Sequence, residues 1–299
     1  TYILISLKSL HCEITLNTRM RKQILIICIY IGELPWYFKF FLKSCSFNKD
    51  IDFLILCDQD MTSKGISNNI KIKRYDLQDF KKDVHRSLNI NTPIQNGYKL
   101  CDFKPAYGYI FSRYIEGYDF WGYCDIDVIF GNIRAFITEN ILSKYEIITV
   151  RQDYLSGCFT LFKNEHKTNT LFMQSKNYLK VFLSEKNFCF DETNFAFDEF
   201  AKSKDAYNIN TEIESMTHVV LKMKDKGLLK PYFNLHILEG LPGNMTWKKG
   251  TLLYKNKYEV LLYHLIFFKD FFKQYNKSTV PDEFIIEQTR ITEISAFSY

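Results

Sequence analysis

The feature that most constrains the fold of this chain is a set of continuous apolar runs at residues 23–31 (QILIICIYI), 52–57 (DFLILC) and 119–124 (DFWGYC). None is long enough to cross a membrane as a helix. The runs lack the alternation of polar and apolar residues that marks a strand with one solvated face. They are therefore typical of strands that are buried on both faces, as in parallel sheets.

The segments around the first two runs alternate between helical and extended patterns. Helices are predicted at 35–44 and 77–88, and a shorter strand at 70–75. Strands that alternate with helices predict an α/β fold, with a mixed, mostly parallel sheet flanked by helices. Further along the chain, short strands are predicted at 147–150 and 158–162, and helical segments at 104–115, 168–183 and 212–226.

Composition narrows the classes of partner and compartment. A net charge of +5, from 39 Lys+Arg against 34 Asp+Glu, is too small to imply a nucleic-acid partner, but it suits a protein that handles phosphorylated small molecules. The eight cysteines form no Cys-x-x-Cys pair and lie mostly in apolar runs, which favours a reducing, cytoplasmic environment. We find no internal repeat or linker, so a single domain is predicted over 20–299, with 1–19 as an N-terminal extension.

An Asp-x-Asp pattern occurs three times, beginning at Asp50, Asp58 and Asp125. In an extended chain its two carboxylates lie on the same side, where they can bind Mg²⁺ or Mn²⁺. The pair Asp125 and Asp127 differs from the others because apolar residues flank it on both sides. Buried carboxylates require compensation, and a divalent cation is the simplest one. A pair of capping or turn acids at a strand end is the alternative.

The strand that ends in aromatic-x-Asp-x-Asp and continues as Val-Ile-Phe-Gly resembles the metal-binding motif of GT-A fold glycosyltransferases. The segment 99–105 (KLCDFKP) resembles the stretch before this motif in a group of bacterial glycosyltransferase-like proteins. The resemblance covers about residues 22–270. It implies a donor-binding half at 20–132, an acceptor-binding half at 133–299, a nucleotide-sugar donor, usually a UDP-sugar, and a Mn²⁺ or Mg²⁺ ion.

The resemblance also implies roles for single residues in the metal centre. Asp125 would lie near the donor ribose and the metal, and Asp127 would ligate the metal directly. In many such enzymes a histidine near the C-terminus completes the metal shell and a lysine shortly after it binds the diphosphate, as His264 and Lys269 would here. A core position for His264, or His236 in its place, is the alternative.

Other residues are candidates for binding the donor. Asp58 ends the second strand at the carboxyl edge, where open α/β sheets bind ligands, and the resemblance implies contact with the uracil or ribose. A turn or helix-capping role is its alternative. Tyr30 and Ile31, at the end of the first strand, would pack against the base, and Lys104 would neutralise phosphates.

The second half is expected to select the acceptor. Inverting members of the resembled family use an acid as general base, and Asp198 or Glu199 is the candidate, because this role needs a raised pKa near apolar groups. Acids on a helix surface are the alternative, and a retaining enzyme would need no such base. A second acidic pair lies at 191–192. The small residues at 156–158 would let a sugar approach the backbone.

Together these features predict a glycosyltransferase that moves a sugar onto a glycan or lipid-linked glycan in bacterial surface polysaccharide synthesis. One alternative is a sugar-phosphate nucleotidyltransferase, although the segment after Ile31 (GELPWYF) lacks a glycine-rich phosphate loop. Another is a non-catalytic glycan-binding protein. The aromatic and basic segment 267–277 is a candidate for peripheral contact with the inner face of the plasma membrane, or it covers a core.

Overall fold

A computed structural model describes residues 21–61, 65–202, 208–271 and 279–294 of the chain. The predicted extension at 1–19 and residues 272–277 of the predicted membrane-contact segment lie outside this part. Within it, no helix has the length and apolar character that a membrane crossing requires. The division into an extension, a donor half and an acceptor half stays a prediction.

The described strands form three sheets. In chain order they are β1 (Ile24–Tyr30), β2 (Asp52–Cys57), β3 (Ile70–Arg74), β4 (Phe120–Cys124), β5 (Val128–Phe130), β6 (Ile147–Thr149), β7 (Phe159–Lys163), β8 (Pro231–Phe233), β9 (Ile237–Leu238), β10 (Met245–Lys248), β11 (Thr251–Tyr254), β12 (Tyr258–Glu259), β13 (Leu262–His264), β14 (Glu283–Ile286) and β15 (Ile291–Glu293).

The largest sheet among the described residues has the strand order β3-β2-β1-β4-β7-β6-β8. The neighbours β1–β2, β1–β4, β2–β3 and β6–β8 are parallel, whereas β7 runs antiparallel to β4 and to β6. Helices pack on its faces. The predicted fold class, α/β with a mixed, mostly parallel sheet flanked by helices, is confirmed.

The central strands separate two apolar layers, which explains their continuous apolar sequences. Successive side chains of a strand point to opposite faces. In β1, Ile24 and Ile26 therefore join the core cluster on one face, and Leu25 and Ile27 join the cluster on the other. All four are at most 5% exposed.

The described α-helices are α1 (Phe38–Phe47), α2 (Leu77–Leu88), α3 (Tyr107–Ile110), α4 (Ser112–Ile115), α5 (Ile133–Phe136), α6 (Glu139–Lys144), α7 (His166–Asn169), α8 (Tyr178–Phe182), α9 (Phe197–Lys202), α10 (Met216–Asp225) and α11 (Phe268–Phe271), with 3-10 helices at Gly97–Ala106 and Leu171–Gln174. Helix α1 packs on one face of the large sheet and α2 on the other.

The prediction of one helix over 104–115 was wrong in its geometry. The chain forms the 3-10 helix Gly97–Ala106 and then the single turns α3 and α4, which are interrupted at Phe111. With three residues per turn, a 3-10 helix places residues i and i+3 on one side, and Lys99 and Asp102 form an ion pair there. The predicted helix at 168–183 is likewise divided into short pieces.

Two smaller sheets complete the described part. Strands β5, β13 and β9 form one, and β12, β11, β10, β14 and β15 form the other. The second sheet was not predicted from the sequence, and it packs on α1 through Trp247 and Phe284, whose side chains are fully buried. Strand β5 of the first sheet follows β4 in the chain, and its pairing with β13 and β9 forms part of the candidate metal centre.

Candidate metal centre and adjoining cleft

Strand pairing brings the predicted metal ligands together at the carboxyl edge of the large sheet. Asp125 and Asp127 lie between β4 and β5. Because β5 pairs antiparallel with β13, His264 lies opposite Val128, next to Asp127. Strand β9 pairs in parallel with β13, and this pairing brings Glu239 beside His264. Residues far apart in the chain thus become neighbours through three short strands.

Asp125, Asp127 and His264 form a cluster whose candidate ligand atoms lie within 4.8 Å of one another. Asp127 and His264 are buried, and Asp125 is partly exposed. The Oδ1 atom of Asp127 is buried and accepts no hydrogen bond from the residues that the structure describes. A buried carboxylate oxygen without a partner is costly, and a cation would remove this cost. Two carboxylates and an imidazole suit Mn²⁺ or Mg²⁺, so these residues fit a divalent ion.

The imidazole of His264 is held from both sides. Its Nδ1 lies 2.9 Å from Oε1 of Glu239, and its Nε2 lies 3.5 Å from Oδ2 of Asp127. Burial alone would lower the pKa of His264, but hydrogen bonds to Asp127 and Glu239 raise it to about 10. Metal-binding histidines commonly donate their second ring N–H to a carboxylate, which orients the ring. Glu239 is placed for this function.

Glu239 is itself part of a charged chain. Its Oε2 accepts a hydrogen bond of 2.7 Å from Arg151, which also contacts Asp153. Although burial acts in the opposite direction, the hydrogen bond with His264 and the charge of Arg151 lower the pKa of Glu239. Sequence reasoning did not identify Glu239. The pairing of β9 with β13 places Glu239, and a strand of two residues has no recognisable pattern in the sequence.

Lys269 lies on the other side of Asp127. Its Nζ donates a hydrogen bond of 2.6 Å to Oδ2 of Asp127. Although burial raises the pKa of Asp127, His264 and Lys269 together hold it below its usual range. Lys269 also lines the adjoining cleft, and its predicted contact with a diphosphate stays a prediction.

A cleft of about 340 Å³ opens beside the aspartates. Its lining includes Tyr30, Ile31, Asp125, Asp127, Lys104 and Lys269. The packing of Tyr30 and Ile31 against a base stays a prediction. Tyr37 and Tyr98 add aromatic surface. Asp58 lies nearby but accepts the backbone N–H of Gly32 at 3.1 Å. This contact stabilises the end of β1, and the predicted contact of Asp58 with a donor stays a prediction.

Lys104 makes contacts that the sequence prediction did not include. Its Nζ lies 2.7 Å from Oδ1 of Asp125 and 3.5 Å from Oδ2 of Asp191, and it donates a hydrogen bond of 2.8 Å to the carbonyl of Gly157. Burial would lower its pKa, but the carboxylates raise it. Lys104 therefore joins Asp125 to a second acidic pair, and its ammonium is already surrounded by oxygen atoms.

That second pair is Asp191 and Glu192. Glu192 accepts the backbone N–H of Gly157 at 2.6 Å, and burial raises the pKa of both acids. A Cβ atom at position 157 would lie 2.7 Å from Oδ2 of Asp191 and 2.9 Å from Cδ of Glu192. The small residue that was expected to let a sugar approach the backbone is therefore covered by these two acids.

The structure does not bring Asp198 and Glu199 into this cluster. Both are exposed on α9, and Asp198 pairs with Lys202 of the same helix at 3.1 Å. Their role as general base stays a prediction. His236, the alternative metal ligand, packs against the rings of Phe136 and Tyr232 and does not belong to the cluster.

Comparison with protein families supplies a classification. The model of a family described as a family of unknown function, DUF6625, matches residues 26–295. The chain belongs to the DUF6625 family. No curated protein matches this DUF6625 chain in sequence.

Solved structures similar to the DUF6625 chain include three glycosyltransferases. The galactosyltransferase LgtC, in complex with donor and acceptor sugar analogs, has 14% identity and a TM-score of 0.35, over 54% of this chain and 66% of that chain. GlyE of Streptococcus pneumoniae TIGR4 has 13% identity and a TM-score of 0.33, over 71% and 45%. Mouse xyloside xylosyltransferase 1, apo form, has 11% identity and a TM-score of 0.42, over 81% and 96%.

The chain thus spans slightly less than two thirds of the LgtC structure and less than half of the GlyE structure. All three TM-scores are below 0.5. The functional conclusion therefore depends on the site itself.

Proposed function

We propose that this protein is a metal-dependent glycosyltransferase that uses a nucleotide-diphosphate sugar, with UDP as the expected nucleotide and Mn²⁺ or Mg²⁺ as the ion. The observation that supports it best is the cluster of Asp125, Asp127 and His264, which adjoins a cleft with an apolar wall and a lysine. Such a cleft offers a surface for a base, oxygen and nitrogen ligands for a cation, and a positive charge for a phosphate.

When bound, the ion would neutralise negative charge on the leaving diphosphate. The residues of the chain would hold and orient the reactants. Asp127 and His264 are kept in place by Lys269 and Glu239, so little reordering is needed when a donor arrives. Lys269 would contact the diphosphate, and Tyr30 and Ile31 would pack against the base.

The acceptor side of the proposal depends on Asp191 and Glu192 as well as on the predicted pair Asp198 and Glu199. The first pair has the raised pKa values that a general base requires. It is also close to Asp125, because Lys104 contacts both Asp191 and Asp125. The second pair would have to act from an exposed helix. The acceptor is proposed to be a glycan or lipid-linked glycan in surface polysaccharide synthesis, at the cytoplasmic side of the membrane.

Binding of UDP and Mn²⁺ to the wild type and to Asp127→Asn tests the proposal. Isothermal titration should show that each ligand strengthens the binding of the other in the wild type. In Asp127→Asn, Mn²⁺ affinity should fall by about a hundredfold or more, because one charged ligand is lost. Asp50→Asn is the matched control, since Asp50 also begins an Asp-x-Asp pattern but pairs with Arg21 in an exposed turn. Its binding should equal that of the wild type.

Turnover then separates the proposed activity from its alternatives. With UDP-glucose, UDP-galactose and UDP-N-acetylglucosamine as probes, release of UDP that requires Mn²⁺ supports a glycosyltransferase. Formation of pyrophosphate from UTP and a sugar phosphate would instead support the nucleotidyltransferase. Sugar binding with neither reaction would support the glycan-binding protein. Equal Mn²⁺ binding by Asp127→Asn and the wild type would contradict the site itself.

A further inference from the structure

The most enclosed ion pair among the described residues lies outside the metal centre. The side chains of Lys99 and Asp102, in the 3-10 helix Gly97–Ala106, are 1% and 0% exposed, and Lys99 Nζ lies 2.8 Å from Oδ2 of Asp102. Lys99 is not among the residues that line the cleft beside Asp125. A charged pair this deeply buried requires hydrogen bonds for its remaining donors and acceptors.

Lys99 donates its remaining hydrogen bonds to a segment more than 80 residues away in sequence. Its Nζ donates to the backbone carbonyls of Val181 at 2.8 Å and Lys186 at 2.6 Å. The side chain of Asn187 in the same segment contacts the carbonyl of Tyr98 at 3.3 Å. The 3-10 helix therefore holds the chain between α8 and the second acidic pair.

Asp102 holds the same segment through its amides. Its Oδ2 accepts the N–H of Phe188 at 2.9 Å, and its Oδ1 accepts the N–H of Phe190 at 2.8 Å. The residue between them, Cys189, has a φ of 49°, a left-handed conformation that non-glycine residues seldom adopt. One carboxylate thus binds the amides on both sides of an unfavourable backbone conformation and stabilises the turn that contains it.

The turn leads directly into Asp191 and Glu192. The same 3-10 helix also contacts this acidic pair, because Lys104 near the C-terminal end of the helix lies close to Asp191. Lys104 also contacts Asp125. Residues of one ten-residue helix therefore place the second acidic pair on one side and the metal-ligand aspartate on the other.

We propose that Lys99 and Asp102 are positioning residues, which hold the turn at 188–190 so that Asp191 and Glu192 keep their place next to Lys104 and Asp125. The proposal rests on the proposed function in so far as these acids act in sugar transfer. Neither Lys99 nor Asp102 would contact a substrate. Their removal should therefore slow turnover and leave donor and metal binding nearly unchanged.

Asp102→Asn is the first test. An asparagine can accept one of the two amides, but its own NH₂ group then faces the other. With UDP-glucose and Mn²⁺ we expect kcat for UDP release to fall by about tenfold or more, while KM and Mn²⁺ affinity change by less than about threefold. Hydrogen exchange of residues 188–192 should become faster. Wild-type kcat together with wild-type exchange in this segment would overturn the proposal.

Coupling to Glu192 separates positioning from a general loss of stability. If Asp102 acts through the acidic pair, Asp102→Asn should slow a Glu192→Gln enzyme by less than about threefold, whereas independent effects would multiply. Asp83→Asn is the matched control. Asp83 is a buried acid of α2 that binds Arg113 and Tyr75 and does not contact the 186–192 segment. This variant should lose stability but keep kcat and exchange at 188–192.

Two further measurements keep the test decisive. If Asp102→Asn does not fold, Lys99→Met removes the ammonium group and keeps an unbranched side chain of similar length. It should speed exchange at 186–190 and lower kcat. Wild-type values for both would overturn the proposal. If the wild type releases no UDP from any probe, the proposed function fails. Positioning is then judged by exchange at 188–192 alone, which Asp102→Asn should accelerate and Asp83→Asn should not.

Discussion

The imidazole of His264 lies between two carboxylates and must lose a proton before it can bind a cation. In the absence of metal, hydrogen bonds to Asp127 and Glu239 raise its pKa to about 10 despite its burial. The pKa values of both acids are lowered, so they stay ionised near neutral pH. A proton and a metal ion therefore compete for the same ring.

We expect the affinity for Mn²⁺ to rise by about tenfold per pH unit between about pH 6.5 and 8.5, with release of about one proton per ion bound. Titration calorimetry in two buffers of different ionisation enthalpy measures both quantities. Glu239→Gln removes one carboxylate that raises the pKa of His264, so its pH dependence should be weaker. A wild-type affinity that does not vary with pH would contradict a role of His264 as a ligand.

The raised pKa of His264 also affects the stability of the metal-free protein. A rise in pH lowers this stability, whereas it increases the affinity for the metal. A histidine whose pKa is raised on folding stabilises the folded state below its unfolded pKa of about 6.5. This contribution is lost as the pH rises through the folded value of about 10. Alkaline pH should therefore destabilise the metal-free protein while it favours metal binding.

Lys104 gives a prediction on stability at the same scale. It compensates Asp125 and Asp191, so Lys104→Met leaves carboxylates without their cation, and the free energy of unfolding should fall by about 3–5 kcal/mol. Lys167→Met is the control. Lys167 forms a partly exposed pair with Glu146, which should contribute about 1 kcal/mol or less. Urea unfolding followed by circular dichroism compares them, and equal losses would contradict the argument.

At the scale of single elements, α2 shows how local sequence determines a helix end. The side chain of Asp76 accepts the backbone N–H groups of Gln78 and Asp79, while Asp79 accepts that of Asp76. Asn89 ends the helix in a left-handed conformation. These signals lie within the helix sequence itself, so the predicted range 77–88 agrees with the observed helix.

We expect Asp76→Ala to lower the free energy of unfolding by about 1 kcal/mol, because two amides at the helix start lose their acceptor. Gln78→Ala is the control in the same turn. Its side chain is exposed, so the change should stay within about 0.5 kcal/mol. Urea unfolding measures both variants. Mn²⁺ affinity should not change in either, and a loss of affinity in Asp76→Ala would show that α2 is coupled to the metal centre.

Other elements depend on partners distant in sequence. The 3-10 helix Gly97–Ala106 is stabilised by Lys99, Asp102 and Lys104, all of which contact residues beyond position 120. Of this helix only residues 104–106 fall within a predicted helical segment, because its distant partners cannot be recognised from the local sequence. Strands of two or three residues, such as β9 and β13, likewise form only where a neighbour pairs with them.

At the scale of the whole molecule, the five-stranded sheet of β12, β11, β10, β14 and β15 shares a hydrophobic core with the large sheet. Trp247 stacks on Phe284 with ring centroids 5.0 Å apart, and its Nε1 donates to the carbonyl of Phe130 at 2.8 Å. Phe47 of α1 contacts the same indole edge-on at 5.1 Å. One domain over 20–299 stays a prediction, and this shared core offers a way to test it.

We expect Trp247→Ala to lower the free energy of unfolding by about 3–5 kcal/mol in a single transition, because the lost side chain leaves a cavity in a shared core. Far-UV and near-UV circular dichroism in urea should give coincident curves. Trp247→Phe, which keeps most of the ring, should lose less. A separate early transition in Trp247→Ala would contradict the prediction of one domain.

The sequence by itself determined the central strands, α2, the α/β class and the Asp125–Asp127 pair. Buried strands, helix caps and paired acids can be recognised from residues that are neighbours in the chain. It also indicated His264 and Lys269, through resemblance. Only the tertiary structure decided that Lys104 contacts carboxylates, that Glu239 holds His264, and that Asp191 and Glu192 lie near Asp125 while Asp198 and Glu199 do not. Such contacts depend on how distant segments pack, and a side chain's burial and partners are set by that packing.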